Sequence, residues 1–214
     1  MLLLKPSFVI EQLKPREDIL RNLETFGRVC YKSEDLISLD SASKFCSMIL
    51  KRNHLSVIEH ESMTVRFICD RGFTHELVRH RLASFSQEST RYCNYSKKGV
   101  AFILPPWVEI EPGNYIDIIC RHEVFAVNDY IWYLSLKQAE DRYIKLIENG
   151  WSPQQARSIL PNSLKTEIIV TANLREWQHI FTLRCNSSAH PQMQELMVPL
   201  RNTLRGHLPE IFNV

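Results

Sequence analysis

Low-complexity sequence is missing from this chain: its six glycines and ten prolines are scattered through 214 residues, with no Pro-rich or Ser/Gly-rich stretch and no internal repeat. That excludes a repeat array and leaves no place for a flexible linker, so a single domain over residues 1–214 is expected. No apolar run is long enough for a membrane-spanning helix. Met1, Leu2, Leu3 and Leu4, followed by Lys5 and Pro6, are too few for the apolar core of a signal peptide. Paired cysteines are missing as well: Cys30, Cys46, Cys69, Cys93, Cys120 and Cys185 stand singly, without a C-x-x-C pair. Reduced thiols in the cytoplasm are therefore expected. Excess charge of one sign is also absent. Twenty-six basic and twenty-four acidic side chains leave a formal +2, too little to mark a polyanion-binding protein, so any basic site has to be local.

What is present is a composition able to bury a core, 44% hydrophobic and 23% charged. Ile19, Leu23, Phe26 and Val29 recur at helical spacing over residues 16–31. Ala42, Phe45, Ile49 and Leu50 do so after a cap at Asp40 or Ser41. Over residues 62–69 the period changes to two, with Met63, Val65, Phe67 and Cys69 on one face, and Thr166, Ile168, Val170 and Ala172 repeat that pattern. Residues 100–104 give a shorter strand, ended by Pro105 and Pro106. Residues 117–149 read as one long helix closed by Gly150. It carries two stripes, Val124, Val127, Ile131 and Leu134, and Trp132, Leu136, Ala139 and Tyr143. Two stripes imply two partners, either a second subunit or an intrachain core. Ser152, Pro153 and Gln155 form a helix start with a capping-box pattern, Asn173 with Glu176 forms another, and residues 191–208 form the last helix, with Met193, Met197, Leu200 and Leu204 inward. The fold class is α/β (α+β): a mixed, largely antiparallel central sheet flanked by helices.

The densest polar stretch is residues 79–92, RHRLASFSQESTRY, in which Arg79, His80, Arg81 and Arg91 frame Ser84, Ser86, Gln87, Ser89 and Thr90. Solvated faces are dominated by Lys and Glu. Arginines among short hydroxyl side chains supply the bidentate and single donors that bind phosphate, or alternatively an interface salt-bridge network. Three consecutive cationic positions cannot face one ligand from a helix or a strand, and would more naturally straddle two anions.

Arg79, His80 and Arg81, followed after seven residues by Ser89, resemble the signature of the flavin-dependent thymidylate synthases. His54, Ser56, Glu59 and His60 resemble that family's upstream H-x-[ST]-x-x-E-H segment, and Gln155, Ala156, Arg157, Leu160, Pro161, Asn173 and Arg184 resemble its downstream run. The resemblance implies a homotetramer with active sites where subunits meet. FAD contacts would fall at His54, Ser56, Arg79, His80, Arg81, Gln87, Asn173, Arg175 and His179. If Asn173 caps a helix, Arg175 and His179 lie one turn apart on one face. Contacts to dUMP would fall at Glu76, Arg79, Gln87, Glu88, Ser89, Thr90, Arg91, Arg157 and Arg184. Arg184 would be catalytic, polarising the pyrimidine. NADPH and 5,10-methylenetetrahydrofolate would be co-substrates, and no metal, nucleic acid or membrane partner is implied.

Two positions depart from the family pattern. Ser86 and Gln87 stand where Asn-Glu is common, and Glu76 stands where Gln is common, so a carboxylate and an amide have traded places. The Pro-Cys-x-His-Arg motif of the cysteine-dependent thymidylate synthases is absent, and Cys93 beside the signature is most simply structural. His54, Glu59 and His60 have the wrong spacing for a zinc-hydrolase helix. His122, His190 and His207 read as surface or interface residues, and Trp107, Trp132, Trp151 and Trp177 as packing. A second reading, a non-catalytic nucleic-acid-binding module using Arg79, Arg81 and Arg91 with Phe85, Tyr92 and Tyr95, explains this segment but not Arg157, Asn173, His179 or Arg184.

Overall fold

The structure, a computed structural model, describes residues 1–97, 99–115 and 125–213. Cys120, His122, Val124 and the expected helix start at 117–124 lie outside the described residues. Contacts group the chain into two compact units, each assembled from separated segments: Met1–Ser7, Phe67–Arg79 and Ser86–Ile168 in the first, Phe8–Arg66, His80–Phe85 and Ile169–Val214 in the second. Among the described residues there are two sheets in place of one central sheet.

The smaller sheet belongs to the first unit. Its middle strand, β1 (Leu2–Leu4), is an apolar run too short to show alternation. It pairs parallel with β5 (Ala101–Ile103) and antiparallel with β6 (Gly113–Asn114), so that Leu3 sits opposite Phe102 on one side and Gly113 on the other. Leu3, Phe102, Tyr133, Leu136, Tyr143 and Leu164 form the core beside it. Helix α4 (Val127–Glu148) supplies Tyr133, Leu136 and Tyr143. Within the described residues the helix begins after Ala126 at the N-cap position. Of the two expected stripes, Leu136 and Tyr143 are buried, whereas Val127 is 76% exposed and Ile131 is exposed too. Tyr133, absent from either stripe, takes the inward position. At the other end Gly150 has φ 91, and the N–H groups of Gly150 and Trp151 reach the carbonyls of Ile147 and Leu146, a left-handed cap that suits glycine. The capping box at Ser152 is present, but it opens only a single turn, α5 (Pro153–Ala156).

The second sheet has the order β2-β3-β7-β4, made of β2 (Ser7–Gln12), β3 (Ser62–Asp70), β7 (Lys165–Asn173) and β4 (Ala83–Gln87). Thr64, near the start of β3, bonds Thr171, near the end of β7, at 2.9 Å. The Arg71 N–H just beyond β3 reaches the Asn162 carbonyl just before β7, so the two strands run antiparallel. The alternation read from sequence is the observed one: Met63, Val65, Phe67 and Cys69 on β3 are buried, as are Thr166, Ile168, Val170 and Ala172 on β7. Asp70 then caps α3 (Arg71–Leu77), its Oδ1 accepting from the Phe73 N–H.

In the second unit α1 (Arg16–Tyr31) has the expected bounds and α2 (Ser41–Lys51) starts after Asp40 at the N-cap position, but the buried face of α1 is rotated. Ile19 and Leu23 are inside, while Phe26 and Val29 are exposed, at 41% and 52%. Their place is taken by Leu20, Glu24, Gly27 and Arg28. The reason is a polar pair: Arg28 Nε donates to Glu24 Oε1 at 2.7 Å, Ser41 donates to Glu24 Oε2, and the guanidinium lies over the Phe45 ring. Gly27 is required beside it, because a Cβ there would stand 2.6 Å from Phe45 Cε1. On α2, Cys46 joins Phe45, Ile49 and Leu50 inside, and Ala42 is only half-buried. Helix α7 (Pro191–His207) buries Met193, Leu196, Met197, Leu200 and Leu204, and α8 (Pro209–Phe212) follows it. Between β7 and α7 stands α6 (Leu174–Arg184), which carries three of the predicted site residues.

Candidate active site

In the first unit the predicted residues gather around the turn that follows β4. The Gln87 amide nitrogen donates to Thr74 Oγ1 at 3.0 Å and Thr166 Oγ1 at 3.3 Å, which pins it to α3 and β7. Glu88 is also committed within the unit. Its N–H bonds the Glu167 carbonyl, and its carboxylate accepts from the Tyr95 hydroxyl at 2.9 Å and from Lys165 Nζ at 3.1 Å. Burial, then the Glu88 charge, pushes the Tyr95 phenol above its ordinary range. Burial works against the Lys165 ammonium, but bonds from Glu167 and Glu88 outweigh it and raise its pKa. Ser89 shapes the turn: its Oγ accepts the Arg91 N–H, and its carbonyl accepts those of Tyr92 and Cys93. Thr90 is buried and accepts from Arg157 Nη1 at 3.1 Å, joining motif segments 67 residues apart. Glu76 lies in the last turn of α3, Arg79 is exposed beyond it, and the exposed Arg91 guanidinium lies over the Tyr92 ring.

In the second unit His54 and Ser56 are exposed at the head of the 3₁₀ turn Leu55–His60. The Tyr31 hydroxyl bonds His54 Nδ1, and the two rings stack at 6.0 Å. This turn meets α6: the Leu174 N–H reaches the Glu61 carbonyl, and Arg175 ion-pairs with Glu59. Asn173 does cap α6, its Oδ1 accepting the Glu176 N–H at 2.8 Å, and Arg175 and His179 are both exposed one turn apart. The other half of the expected capping box is missing, because the Glu176 carboxylate turns inward to His80.

That inward cluster was not legible as a cluster in the sequence. The triplet at 79–81 alternates outward, inward and outward: Arg79 and Arg81 are exposed, and His80 is 4% exposed. His80 Nδ1 lies 3.3 Å from Glu176 Oε1, while Arg184 Nε donates to His80 Nε2 at 3.0 Å. The His179 ring stands edge-on to His80 at 5.7 Å. Burial, then the charges of Arg184 and His179, lower the His80 pKa to about 4, and burial raises that of Glu176. His80, Glu176 and His179 offer ligand atoms within 4.8 Å of one another. Yet Arg184 Nε donates to His80 Nε2 and the Glu176 carboxylate lies 3.3 Å from Nδ1, and the guanidinium against the ring opposes a cation. A cavity of about 600 Å³ between α1 and the start of α2, lined by Leu20, Glu24, Ile37 and Ser43, contains none of the predicted residues.

The site residues therefore divide by unit. Glu76, Arg79, Gln87, Glu88, Ser89, Thr90, Arg91 and Arg157 lie in the first, and His54, Ser56, His80, Arg81, Asn173, Arg175, His179 and Arg184 in the second. The residues missed from sequence are those that hold the others: Tyr31 on His54, Thr74 and Thr166 on Gln87, and Glu176 on His80. Only Glu176 carried a sequence signal, and it pointed to capping.

Comparison with known proteins places these features in context. Residues 12–210 match the family model described as thymidylate synthase complementing protein. The chain is 33% identical over 193 residues to the flavin-dependent thymidylate synthase of Geobacter sulfurreducens, covering 87% of this chain and 77% of the relative. It is 31% identical over 196 residues to that of Corynebacterium diphtheriae, covering 89% and 77%. Among solved structures, thymidylate synthase X from Helicobacter pylori, crystallised with FAD and dUMP, superposes with a TM-score of 0.74 at 25% identity over 97% of each chain.

Proposed function

Because the chain belongs to the flavin-dependent thymidylate synthase family, we propose that it methylates dUMP to dTMP with FAD as its cofactor. The observation that carries this reading is that family-motif residues far apart in sequence are held against one another: Arg157 on Thr90, Arg175 on Glu59, and Arg184 on His80. The donor set suits a dinucleotide diphosphate. Arg79 and Arg81 are exposed guanidiniums with no carboxylate partner among the described residues, and the Ser56 hydroxyl and the His179 ring are exposed as well.

Of the second unit, His54, Ser56, His80, Arg81, Asn173, Arg175 and His179 would contact FAD; of the first, Arg79 and Gln87 would. When bound, FAD supplies the hydride that, added to the methylene of 5,10-methylenetetrahydrofolate, completes the methyl group, after reduction by NADPH. Arg157, Arg91, Ser89 and Thr90 supply donors for the nucleotide phosphate and sugar, and Gln87 and Glu76 polar contacts. The sequence has no Pro-Cys-x-His-Arg motif to supply a cysteine nucleophile, so the pyrimidine would become nucleophilic at C5 without a cysteine addition. Arg184 serves instead. A guanidinium stays protonated and can bond the anion developing on N3 and its neighbouring carbonyl, driving electron density toward C5.

We assign residues 1–214 to one flavin-dependent thymidylate synthase domain that works as a homotetramer with active sites at subunit interfaces. The exposed apolar positions Val127 and Ile131 on α4 support a second-subunit contact. The free thiols among the described cysteines support a cytoplasmic location. Among the described residues no helix is long and apolar enough to cross a membrane. Flavin absorbance of the purified protein and dTMP formation from dUMP test the assignment. A colourless protein that takes up no FAD and binds DNA with strong salt dependence would replace it with the nucleic-acid-binding reading.

A further inference from the structure

Glu176 lies in the first turn of α6, where an acidic side chain ordinarily stays in solvent and answers the positive helix end. This one is 5% exposed. Its own N–H is capped by Asn173, so the helix start does not need its carboxylate. Burying a carboxylate carries a desolvation cost of several kcal/mol unless its partners answer it, and the partner in place is His80 Nδ1.

The opposite edge of that imidazole fixes the proton. Arginine has only donors and does not deprotonate in proteins, so the Arg184 Nε–H must be the donor and His80 Nε2 the bare acceptor. The neutral ring then carries its proton on Nδ1, toward the Glu176 carboxylate. The carboxylate 3.3 Å from Nδ1 is placed to face that proton, and the low His80 pKa keeps the ring an acceptor at neutral pH.

We propose that Glu176 and His80 form a buried positioning pair that holds the Arg184 guanidinium by its Nε, fixing the orientation in which it meets the pyrimidine. The inference rests on the reading of Arg184 given above. An arginine side chain has about 2 kcal/mol of rotamer entropy. A bond at Nε sets the plane of the guanidinium before substrate arrives, and such preorganisation lowers the cost of reaching the transition state. The logic is that of a carboxylate behind a metal-bound histidine, with a guanidinium in place of the metal. Glu176 is thus a positioning residue, two bonds removed from the substrate.

The test uses the flavin-loaded enzyme with Glu176→Ala and Glu176→Gln. Glu176→Ala should lower kcat for dTMP formation about tenfold, with flavin content and the rate of NADPH-driven flavin reduction within about twofold of wild type. Glu176→Gln, whose amide oxygen still accepts from Nδ1–H, should recover to within about threefold. Unchanged dTMP formation in Glu176→Ala overturns the proposal, as does a parallel loss of flavin content and turnover, or a Gln variant no better than the Ala variant. Should Glu176→Ala not fold, histidine ring ¹⁵N shifts of the wild type decide, with His80→Gln assigning the signal. A proton on Nδ1 and none on Nε2 at pH 7 is expected, and the reverse tautomer or an imidazolium overturns the proposal. A wild type that binds flavin and makes no dTMP would remove the functional reading alone, because the tautomer still reports whether the pair holds Arg184.

Discussion

Acidification should destabilise this protein through His80 before most carboxylates titrate. The imidazole is buried, and its pKa is lowered from 6.5 to about 4 by burial first, then by the charges of Arg184 and His179. In the unfolded chain the ordinary value returns. Between those two values the unfolded state binds the extra proton, so stability rises with pH across the window. The contribution is complete above pH 6.5 and is lost as the pH falls through about 4. At about 1.4 kcal/mol for each tenfold change in proton affinity, the whole displacement is worth about 3 kcal/mol. Glu176 acts in the opposite sense. Burial raises its pKa, with His179 pulling it back, so the folded chain takes up that proton early and gains stability as the pH falls through the raised value. The two effects are separable by substitution: His80→Gln cannot titrate but leaves the carboxylate in place. Urea denaturation of wild type and His80→Gln at one protein concentration, at pH 7.5, 6.0, 5.0 and 4.5, reads the difference. The advantage of wild type over the variant should shrink by about 2 kcal/mol between the highest and lowest pH. Stability curves that run parallel over that range would refute a neutral, buried His80.

Four other outcomes follow from the site and core. Arg184→Ala should depress dTMP formation by about 2.7 to 4 kcal/mol while NADPH-driven flavin reduction stays near normal, and near-normal dTMP formation would make Arg184 structural. Arg79→Ala or Arg81→Ala should weaken ligand binding by about 2 to 4 kcal/mol without unfolding the chain, which calorimetric titration with FAD and dUMP checks; unchanged affinities in both variants would contradict it. Ser89→Ala should retain measurable turnover, because the hydroxyl serves the local turn and the nucleotide rather than acting as a nucleophile, and a covalent dUMP adduct mapped to Ser89 would overturn that. Glu24→Ala strands the buried Arg28 guanidinium and should cost about 3 to 5 kcal/mol in denaturant titration; a loss below about 1 kcal/mol would show that water replaces the carboxylate.

The sequence by itself determined β3 and β7, because a strand buried on one face writes its environment into every second residue, and Met63 to Cys69 and Thr166 to Ala172 do so without exception. It also determined the bounds of α1, the caps at Asn173 and Ser152, and the family, since motif order and spacing survive translation into any fold. Tertiary structure alone decided which face of α1 is inside. Helical periodicity offers a stripe but cannot see that Glu24 and Arg28 neutralise each other and displace Phe26 and Val29 to the surface. The short strands β1 and β6, of three and two residues, exist through their pairing and carry too few residues for a pattern of their own. Glu176 shows the limit most plainly. Three residues after a capping asparagine, the sequence reads a capping carboxylate, and only the fold brings His80, 96 positions away, close enough to turn it inward beneath Arg184. Local chemistry can be read from neighbours in the chain, whereas a hydrogen bond between distant segments depends on where the whole backbone has gone.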